Sequence, residues 1–246
     1  MCNIIYEDNH LLIVEKPPNL LTQGDATGDV CLVDKMKRYL KIKYQKPGDV
    51  YVGCVHRLDR PVGGLVALAR TGKAAARLSE QLRAHTMQRD YLAVVDCAAP
   101  AKPAEAFPAS GTLRDDLCKD DATGNVLWVP PHTPGAQEAI LHWQRLAVDL
   151  QRHTALVHIR LETGRKHQIR VQLAHAGYPI VQDLRYGHGE PGEPIALWGA
   201  VLRLTHPTRQ QPMTFISPPQ GKAFIPYAEE IGTFLAAQRP QPTQSE

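Results

Sequence analysis

The chain has 246 residues, 43% of them hydrophobic, and a formal net charge of +3. This length and apolar content allow one large domain, or a core with a small lobe. So weak a positive charge does not identify a nucleic-acid partner by itself. Five cysteines without a CxxC pair argue against a zinc site or a disulfide scaffold and favour a reducing cytoplasm. The sequence shows neither a secretory pattern nor an apolar run of transmembrane length, so we expect no membrane contact.

The first third of the chain predicts two strands and a helix. Ile4 to Glu15 reads as two short strands around a turn at residues 8–10, and the segment Lys16-Pro17-Pro18-Asn19 ends the second strand. Apolar residues recur at helical spacing from Val33 to Lys43, which predicts an amphipathic helix. Its many lysines either contact phosphates or simply face solvent.

The remaining elements are mostly strands. Further strands are predicted at Leu65–Ala69, Leu92–Val95, Glu138–Leu146, Thr154–Leu161, Leu202–Thr205 and Met213–Ile216. Helices are predicted from Lys73 to Ala84, with Thr71 as the cap, and from Val171 to Ala176. An Ala- and Pro-rich connector covers 98–108, and residues 111–137 read as loops because Asp and Gly mark turns there.

Strands in adjacent runs favour an α+β fold, with a curved, mixed but mostly antiparallel sheet flanked by helices. No clean linker divides the chain. We therefore expect one catalytic domain over residues 1–235 and a disordered tail over 236–246.

A lone carboxylate stands out in the run VHRLDRPVGGL at 55–65. Asp59 lies between Arg57 and Arg60, and such neighbours can hold a catalytic carboxylate in its ionised form. A basic stretch follows about a hundred residues later. It contains Arg152, His153, His158, Arg160, Arg165, Lys166, His167 and Arg170. This stretch is either a phosphate-binding groove or a solvated basic face.

Other functional motifs are absent. Thr71-Gly72-Lys73-Ala74 resembles the end of a phosphate loop, but Ala67 and Ala74 stand where that loop needs Gly and Ser or Thr. The histidines lack metal-ligand spacing, and no GxSxG elbow supplies a serine nucleophile. We therefore expect neither a metal nor a cofactor.

Three ordered segments carry a family resemblance. HRLDRPVGGL at 56–65, RDYLAVV at 89–95 and GRKHQIRVQLAHAGYPIVQDLRYG at 164–187 resemble the signature segments of the RluA-type pseudouridine synthases. With supporting strands at both ends, the resemblance covers about residues 4–218. It implies a stand-alone catalytic domain without an S4 domain, with a central RNA-binding cleft, that isomerises uridines in structured ribosomal or transfer RNA without cofactor or metal.

The resemblance also implies roles for single residues. Asp59 corresponds to the catalytic carboxylate, Tyr91 to the tyrosine that stacks on the flipped base, and Arg170 to the basic partner of the aspartate. The chemistry suits these residue types, because a carboxylate can act as a nucleophile and an aromatic ring can replace lost stacking neighbours. The RNA-binding residues implied are Arg57, Arg60, Arg165, Lys166 and His167. Whether the carboxylate attacks the sugar or the base stays open.

Two alternatives remain at this point. One is a catalytically inactive RNA-binding protein of the same fold. The other is a base-excising glycosidase, which would need a second carboxylate to activate water. Asp90 is the nearest candidate, but it neighbours Tyr91 in a predicted strand and so points to the opposite face. As partners we expect RNA, no membrane and no obligatory protein, with the chain acting as a monomer.

Overall fold

The computed structural model describes residues 2–98, 107–120 and 123–239. Most of the predicted connector at 98–108, and residues 240–246 of the predicted tail, therefore lie outside the described residues. The chain divides into two compact units. Unit 1 takes the residues up to Arg89, Gly199–Pro218 and the residues from Ala228 on, and unit 2 takes Asp90–Trp198 and Pro219–Tyr227.

Strands predominate in the described chain, as the sequence predicts for an α+β fold. In chain order the elements are β1 (Asn3–Glu7), β2 (Leu11–Lys16), α1 (Leu32–Lys43), β3 (Gly53–Cys54), β4 (Gly63–Ala69), α2 (Gly72–Arg83), β5 (Gln88–Asp96), β6 (Ser110–Lys119), β7 (Val126–Val129), β8 (Gln137–Asp149), β9 (Thr154–Leu161), α3 (Gln168–His175), β10 (Leu197–Thr205), β11 (Pro212–Ile216), a 3-10 helix (Lys222–Tyr227) and α4 (Ala228–Ala237). The predicted tail thus begins inside α4. Among the described residues, no helix is long and apolar enough to cross a membrane.

Unit 1 is built around strand β4, in which all seven residues are buried. Its strands follow the order β1-β2-β4-β10, with β3 paired to β4 and β11 to β10. The registered pairs β1/β2, β2/β4, β3/β4 and β10/β11 are antiparallel. Helix α2 begins where the sequence predicts, because the side chain of Thr71 accepts a hydrogen bond of 3.2 Å from the N–H of Ala74.

The start of β4, directly after the Asp59 loop, makes a close backbone contact with β10. Gly64 has a φ of +122°, which residues with side chains rarely adopt. A Cβ there would lie 2.4 Å from the carbonyl oxygen of Gly199. Gly64, the second glycine of the HRLDRPVGGL segment, therefore allows the backbone of β4 to lie against that of β10 where the loop ends.

Unit 2 is an antiparallel sheet in the order β5-β9-β8-β6-β7, with α3 packed against β6 and β7. Because side chains alternate along a strand, the two faces of this sheet differ. One face carries Tyr91 opposite Ile159, and the other carries Asp90 opposite Arg160.

The prediction of loops over 111–137 is wrong, because β6 and β7 lie there. β6 pairs with β8 on one side and with β7 on the other. The carboxylates that read as turn signals have partners within the fold: Asp115 accepts a hydrogen bond from Gln172, and Asp116 from the N–H of His132. Asp120 and Gly124 do mark a turn, closed by a backbone hydrogen bond of 2.8 Å from the N–H of Gly124 to the carbonyl of Asp120.

Candidate active site

Asp59 lies on the loop between β3 and β4 in unit 1. The neighbouring Leu58 and Val62 are buried and anchor the loop, whereas Asp59 is partly exposed. The N–H of Val62 donates a hydrogen bond of 3.1 Å to the carbonyl of Asp59, which closes a turn. The loop thus fixes its backbone by burying apolar residues and keeps the carboxylate accessible.

A wholly buried lysine ties this turn to the end of β2. Lys16 is 0% exposed, and its ammonium donates to the carbonyl oxygens of Pro17 (3.0 Å), Leu20 (2.7 Å) and Arg60 (3.2 Å). Burial lowers the pKa of Lys16 to about 7, although the charges of Asp59 and of Cys2 oppose this shift. The sequence pattern predicts only that Lys16 ends a strand, and its position before two prolines is the one local signal of a special role.

Thr22 joins the same loop to the start of α1. Its hydroxyl donates to the carbonyl of Leu58 (2.7 Å) and accepts from the N–H of Leu58 (3.2 Å). The N–H groups of Leu32 and Val33, at the start of α1, donate to the carbonyls of Leu21 and Thr22. The loop that carries Asp59 is therefore held from two sides.

The two arginines that flank Asp59 differ in their surroundings. The guanidinium of Arg60 pairs with Asp29 at 2.7 Å, and both side chains are about half exposed. Arg57 is exposed. In unit 1, Lys16 is a buried cation whose pKa responds to the charge of Asp59. That the flanking arginines act on the Asp59 carboxylate stays a prediction.

His56 fixes the other end of the loop as a neutral side chain. It is 8% exposed, and its Nε2 accepts a hydrogen bond of 2.9 Å from the N–H of Ala67 in β4. Burial, assisted by the charge of Arg89, lowers the pKa of His56 to about 3. The proton therefore lies on Nδ1, which is buried and has no hydrogen-bond partner among the described residues.

Tyr91 and Asp90 follow each other on β5 in unit 2 but differ in surroundings. Tyr91 is 6% exposed and lies opposite Ile159. Asp90 is 0% exposed and accepts hydrogen bonds of 2.9 Å each from His158 and Arg160. Burial works to raise the pKa of Asp90, but these two partners outweigh burial and hold that pKa at about 2. Asp90 is thus engaged in a structural cluster on the face opposite Tyr91.

Arg170 is held as a rigid, oriented guanidinium. It is 4% exposed, and two parallel hydrogen bonds of 2.8 and 2.7 Å join it to Asp183. Asp183 also accepts from the N–H groups of Arg185 and Tyr186. Burial works to raise the pKa of Asp183, but the hydrogen bond and charge of Arg170, assisted by these backbone bonds, lower it. The ring of Tyr186 lies 5.1 Å from the guanidinium carbon, within cation–π range. Asp183 and Tyr186 were not among the predicted site residues, although both stand in the quoted 164–187 segment.

Strand β7 contacts both ends of α3, the helix that carries Arg170. At the N-terminal end, the hydroxyl of Tyr186 accepts from the N–H of Val126 (2.9 Å) and shares a hydrogen bond with Nδ1 of His167 (2.7 Å). At the C-terminal end, Trp128 stacks on His175 with ring centroids 4.3 Å apart. The β6–β7 hairpin, which the sequence pattern predicts as loops, therefore packs against α3 and supports it.

The predicted RNA-binding residues of unit 2 also have partners in the fold. Arg165 donates through Nε to the carbonyl of Glu138 (2.9 Å), and Lys166 donates to the carbonyl of Gly124 (2.8 Å). Their contact with RNA stays a prediction. The described residues contain no cluster of His, Cys, Asp and Glu that could hold a metal ion.

Comparison with known proteins gives consistent matches. The model of a family described as RNA pseudouridylate synthase matches residues 10–175. An uncharacterized RNA pseudouridine synthase, YhcT of Bacillus subtilis, is 34% identical over 188 residues, covering 76% of this chain and 58% of the relative. The ribosomal large subunit pseudouridine synthase D of Xanthomonas campestris is 34% identical over 251 residues, covering 96% of this chain and 69% of the relative.

Two solved human structures share the fold. RNA Pseudouridylate Synthase Domain Containing 4 superposes with a TM-score of 0.72 at 22% identity and covers 94% of this chain and 93% of its own. RNA Pseudouridylate Synthase Domain Containing 1 superposes with a TM-score of 0.68 at 18% identity and covers 100% of this chain and 97% of its own. Both matches support the predicted α+β fold.

The buried His56 predicts how stability depends on pH. Its pKa is about 3 in the folded chain and 6.5 in the unfolded one, so below pH 6.5 the unfolded chain binds more protons. The contribution of neutral His56 to the unfolding free energy is therefore complete above pH 6.5 and is lost as the pH falls toward 3. Between pH 8 and pH 5 we expect the wild type to lose about 2 kcal/mol more unfolding free energy than His56→Gln, which keeps an acceptor for Ala67.

Urea unfolding at the two pH values measures this difference. His188→Gln, a change at an exposed histidine, is the control and should follow the wild type. An equal loss of stability in the wild type and in His56→Gln would contradict the assignment of a neutral, buried imidazole.

Proposed function

The chain belongs to the RNA pseudouridylate synthase family, and we propose that it converts selected uridines of structured RNA to pseudouridine. The chain spans 58% of the length of YhcT and 69% of the Xanthomonas relative. The observation that carries the proposal is Asp59, a partly exposed carboxylate on a loop fixed by Lys16, Thr22 and His56, within the segment that matches the family.

The reaction is an isomerisation and needs no redox partner. The glycosidic bond between N1 and C1′ breaks, the uracil turns, and a bond between C5 and C1′ forms. The proton on C5 is lost and N1 takes up a proton, so that atoms and electrons balance. A carboxylate suits this chemistry, because it can add to the sugar or the base as a nucleophile and leave again, or stabilise an oxocarbenium-like sugar.

Tyr91 and Arg170 complete the proposed machinery. The family resemblance assigns Tyr91 to stacking on the flipped uracil and to removal of the C5 proton, and a phenol on a buried strand suits both tasks. It assigns Arg170 as the basic partner of the catalytic carboxylate. The two hydrogen bonds that Arg170 donates to Asp183 support this role, because they hold the guanidinium in one orientation.

The RNA class is the finer part of the proposal. The Xanthomonas relative is named for the ribosomal large subunit, which makes large-subunit ribosomal RNA the first substrate to test and transfer RNA the second. The competing glycosidase reaction lacks support, because Asp90 is buried under His158 and Arg160 and is not available to activate water. The monomeric state and the cytoplasmic location stay predictions.

Asp59→Asn tests the proposal directly. Because the amide cannot act as a nucleophile, we expect turnover to fall by at least about a thousandfold, while RNA affinity stays the same or rises slightly as a negative charge is lost. The measurement is pseudouridine content, by nuclease digestion and mass spectrometry, of transcribed large-subunit ribosomal RNA and of pooled transfer RNA. Asp49→Asn, at an exposed carboxylate of the same unit, is the control and should keep wild-type turnover. Pseudouridine formation by the Asp59→Asn variant would contradict the proposal.

Tyr91→Phe separates stacking from proton transfer. The variant keeps the ring but loses the hydroxyl, so we expect RNA binding to persist and release of the C5 proton to slow by about a hundredfold or more. Single-turnover release of tritium from RNA that carries 5-tritiated uridine measures this step. Tyr51→Phe, at an exposed tyrosine of unit 1, serves as the control. An unchanged rate of tritium release in Tyr91→Phe would remove Tyr91 from proton transfer.

A further inference from the structure

Helix α1 concentrates the positive charge of the chain. Its twelve residues contain one carboxylate, Asp34, and five cations: Lys35, Lys37, Arg38, Lys41 and Lys43. The helix therefore carries a net charge of +4, whereas the whole chain carries +3. The rest of the chain is thus slightly acidic, and the excess charge belongs to this one element.

Most of these cations have no ion-pair partner among the residues that the structure describes. Lys43 pairs with Glu7 at 2.8 Å, but within the described part of the chain no ion pair involves the other four. Those four side chains are exposed: Lys35, Lys37, Arg38 and Lys41. The buried face of α1 consists of Leu32, Val33, Met36 and Leu40, so the four cations lie on the outward side.

The arrangement is unfavourable for the helix alone. Lys37 and Lys41 are four residues apart and Lys35 and Arg38 three apart, and like charges at these spacings repel each other. The helix dipole favours cations near the C-terminal end, but Lys35 lies in the first turn, where it disfavours them. The dipole therefore favours Lys41 but not Lys35, and internal pairing does not offset the repulsion among these cations. An external polyanion would relieve that repulsion.

The start of α1 is also connected to the loop that carries Asp59, through hydrogen bonds of residues 21 and 22. The N–H of Leu32 donates to Leu21 at 2.7 Å, and the adjacent Thr22 holds Leu58 of the loop through its hydroxyl. Arg60, next to Asp59, pairs with Asp29 just before the helix. With a rise of about 1.5 Å per residue, Lys41 lies about 14 Å along the helix axis from Leu32. The outward face thus leads away from the candidate catalytic loop.

We propose that this outward face of α1 binds the phosphate backbone of the RNA strand that flanks the target uridine. The proposal rests on the function proposed above, because RNA is the polyanion that such an enzyme must hold beside its catalytic carboxylate. Lysines suit this task, since flexible point charges follow a phosphate backbone without reading its sequence. The outward face of α1 therefore contributes to RNA affinity and to the position of the RNA strand, whereas the chemical step takes place at the Asp59 loop.

Matched double variants test the proposal. Lys37→Gln/Lys41→Gln removes two charges from α1, and Lys73→Gln/Arg83→Gln removes two exposed charges from α2 as the control. The probe is transcribed large-subunit ribosomal RNA, with binding measured by filter retention at several KCl concentrations. Each lost phosphate contact should reduce the slope of log affinity against log salt by about 0.7, so the α1 variant should lose about 1.4. Its KM for RNA should rise while kcat at saturation stays unchanged, and the α2 variant should match the wild type.

The outcomes separate this proposal from the enzymatic one. A folded α1 variant with wild-type slope and KM, in a preparation whose wild type makes pseudouridine, overturns the α1 proposal and leaves the enzyme. A reduced slope in the α1 variant, with a wild type that binds RNA but makes no pseudouridine, upholds the α1 proposal and removes the proposed activity. Binding to vesicles of phosphatidylglycerol and phosphatidylcholine that depends on Lys37 and Lys41, with RNA binding independent of both, also overturns it. Circular dichroism confirms the fold of each variant.

Discussion

The ammonium group of Lys16 is the constraint on which the candidate catalytic loop depends. A charged or neutral amine taken wholly out of water must find hydrogen-bond partners inside the protein, or the fold is destabilised by its desolvation. Lys16 finds them in three backbone carbonyls, and one of these belongs to Arg60, the residue after Asp59. Satisfying one buried amine therefore fixes the turn that presents the carboxylate. It also leaves a cation close enough for the charge of Asp59 to affect its pKa.

Unit 2 also contains a buried cation that is held by polar partners. There a buried guanidinium, Arg170, is satisfied by Asp183, and Asp183 is in turn oriented by backbone N–H groups and accompanied by the ring of Tyr186. In both units a candidate functional group is positioned by polar partners that cannot be removed without leaving an unsatisfied group in the interior. Such partners give the precision that catalysis requires, because they hold a reacting group in one geometry.

How much could be predicted from the sequence depends on how local each signal is. Strands with apolar runs, such as β4 and β9, and the capped helix α2 are found because their patterns lie within a few residues. β6 was missed, since its half-exposed, carboxylate-rich sequence resembles a loop until pairing with β7 and β8 is known. Motif resemblance singled out Asp59 and Arg170 as candidates, but not what holds them. The contact from Lys16 to Arg60 joins residues 44 apart in sequence, and no local pattern shows that Arg170 pairs with Asp183, 13 residues later.

The most direct test of this account is the catalytic rate of Lys16→Met. Methionine fills a similar volume but cannot donate to the three carbonyls, so the turn at Asp59 should shift while the RNA-binding surface stays intact. The account predicts that kcat falls by about a hundredfold or more, as expected for a misplaced reacting group, with little change in RNA affinity. A folded Lys16→Met variant with wild-type kcat would contradict the claim that this buried ammonium holds the candidate catalytic carboxylate, Asp59, in place.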